Sequence, residues 1–427
     1  MTQSPPSSTP APIDLPTGQE PLPVRDWETD FDHTHPDYAA AAPEIWEQLR
    51  QACPVAHTQR FGGTWLPVRH ADVEAIAHDT VNYTSQGVIV GPRPEVDAPM
   101  GPAPPITSDP PFHAIARRLL LPPFAPKPIA ALEASTRAYC HELIDNLLAK
   151  ADENASSTDT AIADAAIDYA QNIPVRVIAN MLGLPEHDAG RFRTFIHRVI
   201  EAPGQAGELP HEETLDYYLD TQVAEHRANP RSPEDGDLID YLLSVDIDGM
   251  PLLDEHARGT IALLLIAGID TTWSAIGASL WHLAENPADR RRWIEDPDVR
   301  PFAIEEFLRF CAPVTMARIA ATDHELSGCP VQEGNWVLLP FPAANRDPEV
   351  FEDADTFVID RKVNRHTAFG LGIHRCLGSN LARLEVSVAI ETWMERLPEF
   401  ELLDPALVRW STGQVRGPRV LPVRLIR

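Results

Sequence analysis

The stretch from Asp254 to Asn286 reads as one uninterrupted helix, and any fold for this chain has to be built around it. Its thirty-three residues would run about 50 Å at the usual helical rise, the width of a whole domain. Asn286-Pro287 ends the pattern, because proline cannot continue a helical hydrogen-bond ladder. The middle, Ile261 to Ile269, is apolar around its full circumference and should therefore be buried on every side. Asp270, Thr271 and Thr272 follow at once. An acid and two hydroxyls inside a buried helix are costly unless they are bonded or used. Thr271 can return its hydroxyl to the carbonyl of Ala267 one turn back, which predicts a bend and an open groove. Ala267 and Gly268 would keep that groove free of side chains.

A second stretch has the composition of a ligand loop. Phe369-Gly370-Leu371-Gly372-Ile373-His374-Arg375-Cys376-Leu377-Gly378 places one sulfur in a glycine-loosened segment, with a helical pattern from Leu377 to Arg396 directly behind it. A cysteine at a helix N-terminus faces unpaired N–H groups and the positive end of the macrodipole, so a depressed thiol pKa and a metal-bound thiolate are expected. Gly370, Gly372 and Gly378 can leave room for a large flat ligand against the main chain.

Two further pairs occur on helical patterns. Pro110 and Pro111 fix a helix start, after which His113 and Arg117, four apart, share a face and offer donors suited to a carboxylate. Glu306 and Arg309, three apart, are close enough to pair.

In order and spacing these pieces resemble the cytochrome P450 superfamily. The cysteine stretch matches the haem-thiolate loop Phe-Gly-x-Gly-x-His-x-Cys-x-Gly at every specified position. The segment from Asn345-Arg346-Asp347-Pro348 through Phe357 to Asp360-Arg361 is similar to the meander before that loop. The resemblance runs from about residue 38 to 426.

It implies a mainly α fold with minor β, a long distal helix over haem b (iron protoporphyrin IX), and Cys376 as axial iron ligand. His113, Arg117, Arg318 and His374 would bind the propionates, and Phe369, Gly370, Gly378 and Ala267 would border the porphyrin. The local His113 segment departs from the family pattern, with Phe112 where an acid is usual and Ile115 where an arginine is usual. Asp270 would be the proton-relay acid and Thr271 the hydroxyl that works with it. Glu306 and Arg309 would support the haem from behind, with either Arg361 or His366 as third member. The substrate pocket would be lined by Val88, Ile89, Val90, Ile266, Ala267, Val314, Thr315, Gln414 and Val415. These suit a compact hydrophobic molecule.

Composition bounds the rest. The 427 residues suggest several domains by length alone, but the span of the resemblance predicts one haem domain over 25–427 behind a Pro/Ser/Thr-rich disordered leader over 1–24. That leader lacks the basic start and apolar stretch of a secretory signal. Five cysteines with no Cys-x-x-Cys pair disfavour a disulfide framework or zinc site, and a reducing cytoplasm is the expected compartment.

A formal charge of -28 disfavours nucleic acid and anionic membrane as partners. Against it, Arg361, Lys362, Arg365, Arg375 and Arg383 form a basic run, and Arg118, Arg375 and Arg383 are expected to dock an acidic redox protein. The chain contains no glycine-rich dinucleotide fingerprint and no cluster-type cysteine set, so electrons should come from a ferredoxin or flavodoxin with its NAD(P)H-dependent reductase. A monomer is expected. A peroxide-driven haem-thiolate enzyme and a non-catalytic haem sensor are the alternative readings.

Elsewhere the periodicity predicts helices over 38–51, 71–77, 128–150, 161–182, 187–202, 211–228 and 235–244. Strands are expected at 64–68, 319–341 and 414–426, and a long functional loop over 86–111.

Overall fold

The computed structural model describes residues 22–91, 101–153, 160–201, 210–232, 236–247 and 250–426. The leader expected over 1–24 lies outside these residues apart from 22–24, as does the middle of the 86–111 loop.

The Asp254–Glu285 helix runs through the centre, with Asp254 and Glu255 in its first turn and His282 in its last, as the macrodipole favours. Asn286 caps it by donating its N–H to the His282 carbonyl, and Pro287 opens the next helix. Two hydrophobic cores share it. Ala257 to Ile269 pack with the helices Asn172–Leu182, Ala189–Ile196 and Leu215–Ala228. Trp273 to Ala284 pack with Glu133–Glu153, Arg300–Phe310 and Ser379–Arg396. At about 1.5–3 kcal/mol for each large apolar side chain buried, the two cores fix the helix along its length. Ala267 to Thr272 fall at the seam between them. Among the described residues this is the one helix long and apolar enough to cross a membrane, and most of that stretch is buried inside the fold.

A five-stranded sheet lies to one side in the order Val55–Thr58, Thr64–Pro67, Trp336–Pro340, Thr315–Ala320, Tyr83–Thr84. Its pairs are antiparallel except Trp336–Pro340 against Thr64–Pro67. The strand signals over 319–341 resolve into Thr315–Ala320, His324–Leu326, Cys329–Val331 and Trp336–Pro340.

The helix expected over 161–182 is partly a strand. Thr160–Asp164 pairs antiparallel with Pro422–Ile426, and only then do a π-helical turn, Ala165–Ala170, and the helix Asn172–Leu182 follow. The Asp164 carboxylate accepts the N–H groups of Ala166, Ile167 and Leu421, so one side chain both caps the helical segment and ties it to the strand.

Candidate active site

The cysteine loop is shaped by two glycines at φ +67° (Gly370) and +65° (Gly372), angles that favour glycine. At Gly372 a Cβ would also fall 2.3 Å from the Ala77 carbonyl oxygen. The Gly370 N–H donates to the Thr367 carbonyl (2.8 Å) and the Cys376 N–H to the Phe369 carbonyl (2.7 Å), closing a turn that presents the sulfur. The helix behind it begins at Ser379, with Gly378 as its cap residue.

This loop hangs from a buried ion pair. Glu306 and Arg309 are both fully buried, and the Arg309 fork meets the carboxylate with two contacts of 2.8 Å. Its remaining N–H groups donate to the carbonyls of Asn345 (2.8 Å), Ala354 (2.7 Å) and Thr356 (2.9 Å), so its donors are spent. Glu306 also accepts from the Val358 N–H, Arg361 and Asn364. Arg361 thus completes the pair. His366 goes instead to Glu305, its Nε2 lying 3.0 Å from the carboxylate. Asn345 carries the support onward, since its Oδ1 accepts both the N–H and the hydroxyl of Thr367 two residues before Phe369.

A cavity of about 240 Å³ lies between the cysteine loop and the seam of the long helix. Cys376, Phe369, Gly370, His374 and Gly378 line it from the loop, and Leu263, Ala267, Gly268, Thr271 and Thr272 from the helix. Leu263, Ala267 and Thr271 are spaced four apart, so they form one stripe along the helix. Thr271 donates its hydroxyl to the Ala267 carbonyl at 2.8 Å, which leaves its oxygen lone pairs for the cavity. Gly268 does more than keep a groove bare. A Cβ there would fall 2.5 Å from Cδ1 of Ile178, so the glycine admits the neighbouring helix.

Four basic side chains gather here: Arg117, Arg318 and His374 line the cavity, and His113 packs against His374. His113 is buried, its ring 4.4 Å from that of His374, and its Nε2 has no hydrogen-bond partner among the described residues. His374 meets the Ser85 hydroxyl through Nε2 (2.9 Å), and burial, with Arg318, His113 and Arg117 nearby, pushes it down to about 2. Arg117 donates to the Arg375 carbonyl (2.6 Å) and Arg318 to the Ala317 carbonyl (2.8 Å). Burial lowers Arg318 to about 10, opposed by Asp109. Asp109 is itself spent on the Thr84 hydroxyl and the Ser85 N–H. Two guanidiniums and two imidazoles therefore converge with no carboxylate among the described residues bonded to any of them, an arrangement that suits a ligand carrying two acid groups.

The family model for cytochrome P450 matches residues 95–298 and 301–405, well over half of the chain. The chain belongs to the cytochrome P450 family. Among curated P450s it is 32% identical to the nocardicin C N-oxygenase of Nocardia uniformis subsp. tsuyamanensis over 91% of this chain and 95% of that one. It is 31% identical to the mycinamicin IV hydroxylase/epoxidase of Micromonospora griseorubida over 88% and 94%. A solved P450 from Chondromyces apiculatus superimposes with a TM-score of 0.80 at 30% identity, covering 94% of this chain and 99% of that structure. P450s are haem proteins, and the residues present fit that group. The sulfur, Arg117, Arg318 and His374 border one cavity, and the orphaned His113 nitrogen lies on a ring packed against His374.

Several expected roles do not match the geometry of this P450. Of the nine residues proposed to line the substrate pocket, Ala267 and Val314 reach the cavity. Ile266 packs into the core on the other side of the helix. Val88 to Val90, Thr315 and Gln414 are knitted together instead. Gln414 donates to the carbonyls of Val88 (3.0 Å) and Thr315 (2.9 Å) and accepts the Val90 N–H (2.5 Å), while Val415 bridges to Val314. Pro105, Ile106, Phe124, Ile178 and Met316 line the cavity in their place.

Asp270 does not line the cavity. One residue along a helix turns a side chain by about 100°, so Asp270 falls on the face of Ser274 rather than of Thr271. There Arg419 holds it, Nη2 donating to Oδ1 at 2.6 Å, while the same guanidinium reaches Ser274 (3.0 Å) and Glu201. Asp270 Oδ2 has no partner among the described residues. Burial raises Asp270 to about 7, opposed by Arg419 and aided by Glu201.

The Cys376 thiol likewise departs from expectation. Burial pushes it up, against the Gly378 N–H and the charges of Arg117, Arg375 and Arg383. Desolvation outweighs the helix terminus and the neighbouring cations. Of the docking arginines, Arg118 and Arg375 are exposed, but Arg383 is bound bidentate to Glu305.

Proposed function

We propose that this P450 is a haem b monooxygenase that oxidises a compact hydrophobic substrate, with Cys376 as the axial thiolate. The one cavity that joins Cys376, Thr271, Arg117, Arg318 and His374 carries the reading. Bound there, haem would supply dioxygen activation, with the Cys376 thiolate donating electron density to it. His113, Arg117, Arg318 and His374 anchor the two propionates, and the cost of their uncompensated burial is relieved by that binding. Thr271 holds water or substrate oxygen through its free lone pairs. Asp270, poised near neutral pH beside it in the chain, stores the proton to be delivered once it turns from Arg419. The largely apolar lining excludes water and suits a terpenoid or substituted aromatic.

The relatives named as hydroxylase, epoxidase and N-oxygenase support oxygen insertion as the chemistry. Residues 25–427 act as one haem domain, and electrons come from a ferredoxin or flavodoxin docking at Arg118 and Arg375. Comparing turnover driven by reduced partner and O2 with turnover driven by peroxide, in wild type and Asp270→Asn, tests this. Partner-driven turnover should dominate and should fall in the variant. Peroxide turnover that exceeds it and is indifferent to the substitution would establish a peroxygenase instead.

A further inference from the structure

Glu305 stands beside the buried Glu306 yet takes no part in that pair. Its Oε1 accepts Arg383 Nε at 2.6 Å, and its Oε2 accepts Arg383 Nη2 at 2.8 Å and His366 Nε2 at 3.0 Å. His366 Nδ1 accepts the Ala368 N–H (3.2 Å), so the imidazole proton sits on Nε2 and points at the carboxylate. Against the push of burial, Arg383 and His366 hold Glu305 down to about 2.

Gripped this way, the Arg383 guanidinium sits over the cysteine loop, its Cζ 4.4 Å from the centroid of the Phe369 ring. The His366 ring lies 5.9 Å from the same ring. Phe369 is the residue whose carbonyl receives the Cys376 N–H. Arg383 also acts on the sulfur through space, together with Arg117 and Arg375. A cation is therefore fixed on the ring of the residue that receives the Cys376 N–H, and its counter-charge on Glu305 is about a third exposed.

We propose that Glu305 is a positioning residue for the Cys376 ligand: by pinning Arg383 on Phe369 and balancing its charge, it sets the field at the sulfur and hence the reduction potential of the bound haem. Reduction adds negative charge at the iron–sulfur unit, so an unbalanced cation nearby favours the reduced form and an unbalanced anion opposes it. The inference rests on the haem-thiolate reading given above.

The test is an equilibrium redox titration of full-length haem-loaded protein at near-neutral pH, with the carbon monoxide spectrum of each variant recorded beside it. Glu305→Gln should shift the potential upward and Arg383→Gln downward, with the double variant between them. Glu305→Asp, which keeps the charge, should stay near wild type. Single variants shifting in the same direction would overturn the proposal, as would lowered thermal stability with unchanged potentials. So would a Glu305→Asp shift as large as that of Glu305→Gln, which also decides the matter if Arg383→Gln does not load haem. A wild type without the thiolate-type carbon monoxide band would sink the haem-thiolate reading itself; a normal band with immobile potentials would sink this inference alone.

Discussion

Asp270 and Thr271 are neighbours in the chain but turn their side chains to different faces of the helix, and the difference is chemically useful. Thr271 borders the cavity, whereas Asp270 is held one face away by a guanidinium shared with Glu201. Burial does most to raise Asp270 to about 7, and the Glu201 carboxylate on the same cation adds to it, while against its own burial Arg419 and His197 hold Glu201 down to about 2. Removing the cation by Arg419→Gln should raise Asp270 further, so its carboxyl stretch in infrared difference spectra, assigned by loss in Asp270→Asn, should persist to higher pH. A raised folded pKa means that this group's stabilising contribution is present below about 4 and fades as pH climbs through about 7. The Arg419→Gln variant should therefore lose stability more steeply on the alkaline side. An unchanged infrared titration would show that Arg419 does not govern Asp270. At Thr271, replacement by valine keeps the shape and removes the hydroxyl. Product formation should fall on the order of 10²-fold with haem content unaltered, as expected when a proton-handling group is lost. Wild-type turnover in Thr271→Val would remove the residue from the mechanism.

Among the elements, the cysteine loop depends most on distant support. Arg309 donates to Glu306 and to three backbone carbonyls, and Asn345 passes that order to Thr367. Breaking a buried pair by removing one partner costs about 3–5 kcal/mol, because the other charge is left uncompensated. Glu306→Gln should accordingly lower the thermal midpoint sharply and release haem at temperatures the wild type survives; a variant that melts and retains haem like wild type would show that the pair is dispensable.

The loop and the long helix were legible in the sequence because each is a local pattern, glycines at fixed spacing in one and unbroken apolar periodicity in the other. Thr160–Asp164 was not. Its alternation of alanine and isoleucine is too short to distinguish from a helix, and the strand exists because Pro422–Ile426 pairs with it. The partners of Asp270 were equally out of reach, since nothing near Arg419 in the sequence marks it as lying across the long helix. The same holds for Gln414, placed by sequence position in the pocket although its amide is spent on the carbonyls of Val88 and Thr315.

At the scale of the whole molecule, the formal charge of -28 gives an acidic exterior on which Arg118 and Arg375 stand exposed near the cysteine loop. An acidic partner would be repelled by most of that surface and attracted to this region, so docking should weaken as salt rises. Reversing the charge with Arg375→Glu should slow electron transfer at low salt and flatten its salt dependence in stopped-flow reduction. An identical rate and slope would place the partner elsewhere.

The fold, the cavity and the basic cluster all converge on one sulfur. The most direct measurement is the absorption spectrum of the purified, haem-loaded protein, reduced and exposed to carbon monoxide, in wild type and in Cys376→Ala. The wild type should develop the thiolate-type Soret shift, and Cys376→Ala should lack it. A well-folded wild type without that shift, or a variant that retains it, would contradict Cys376 as the axial ligand.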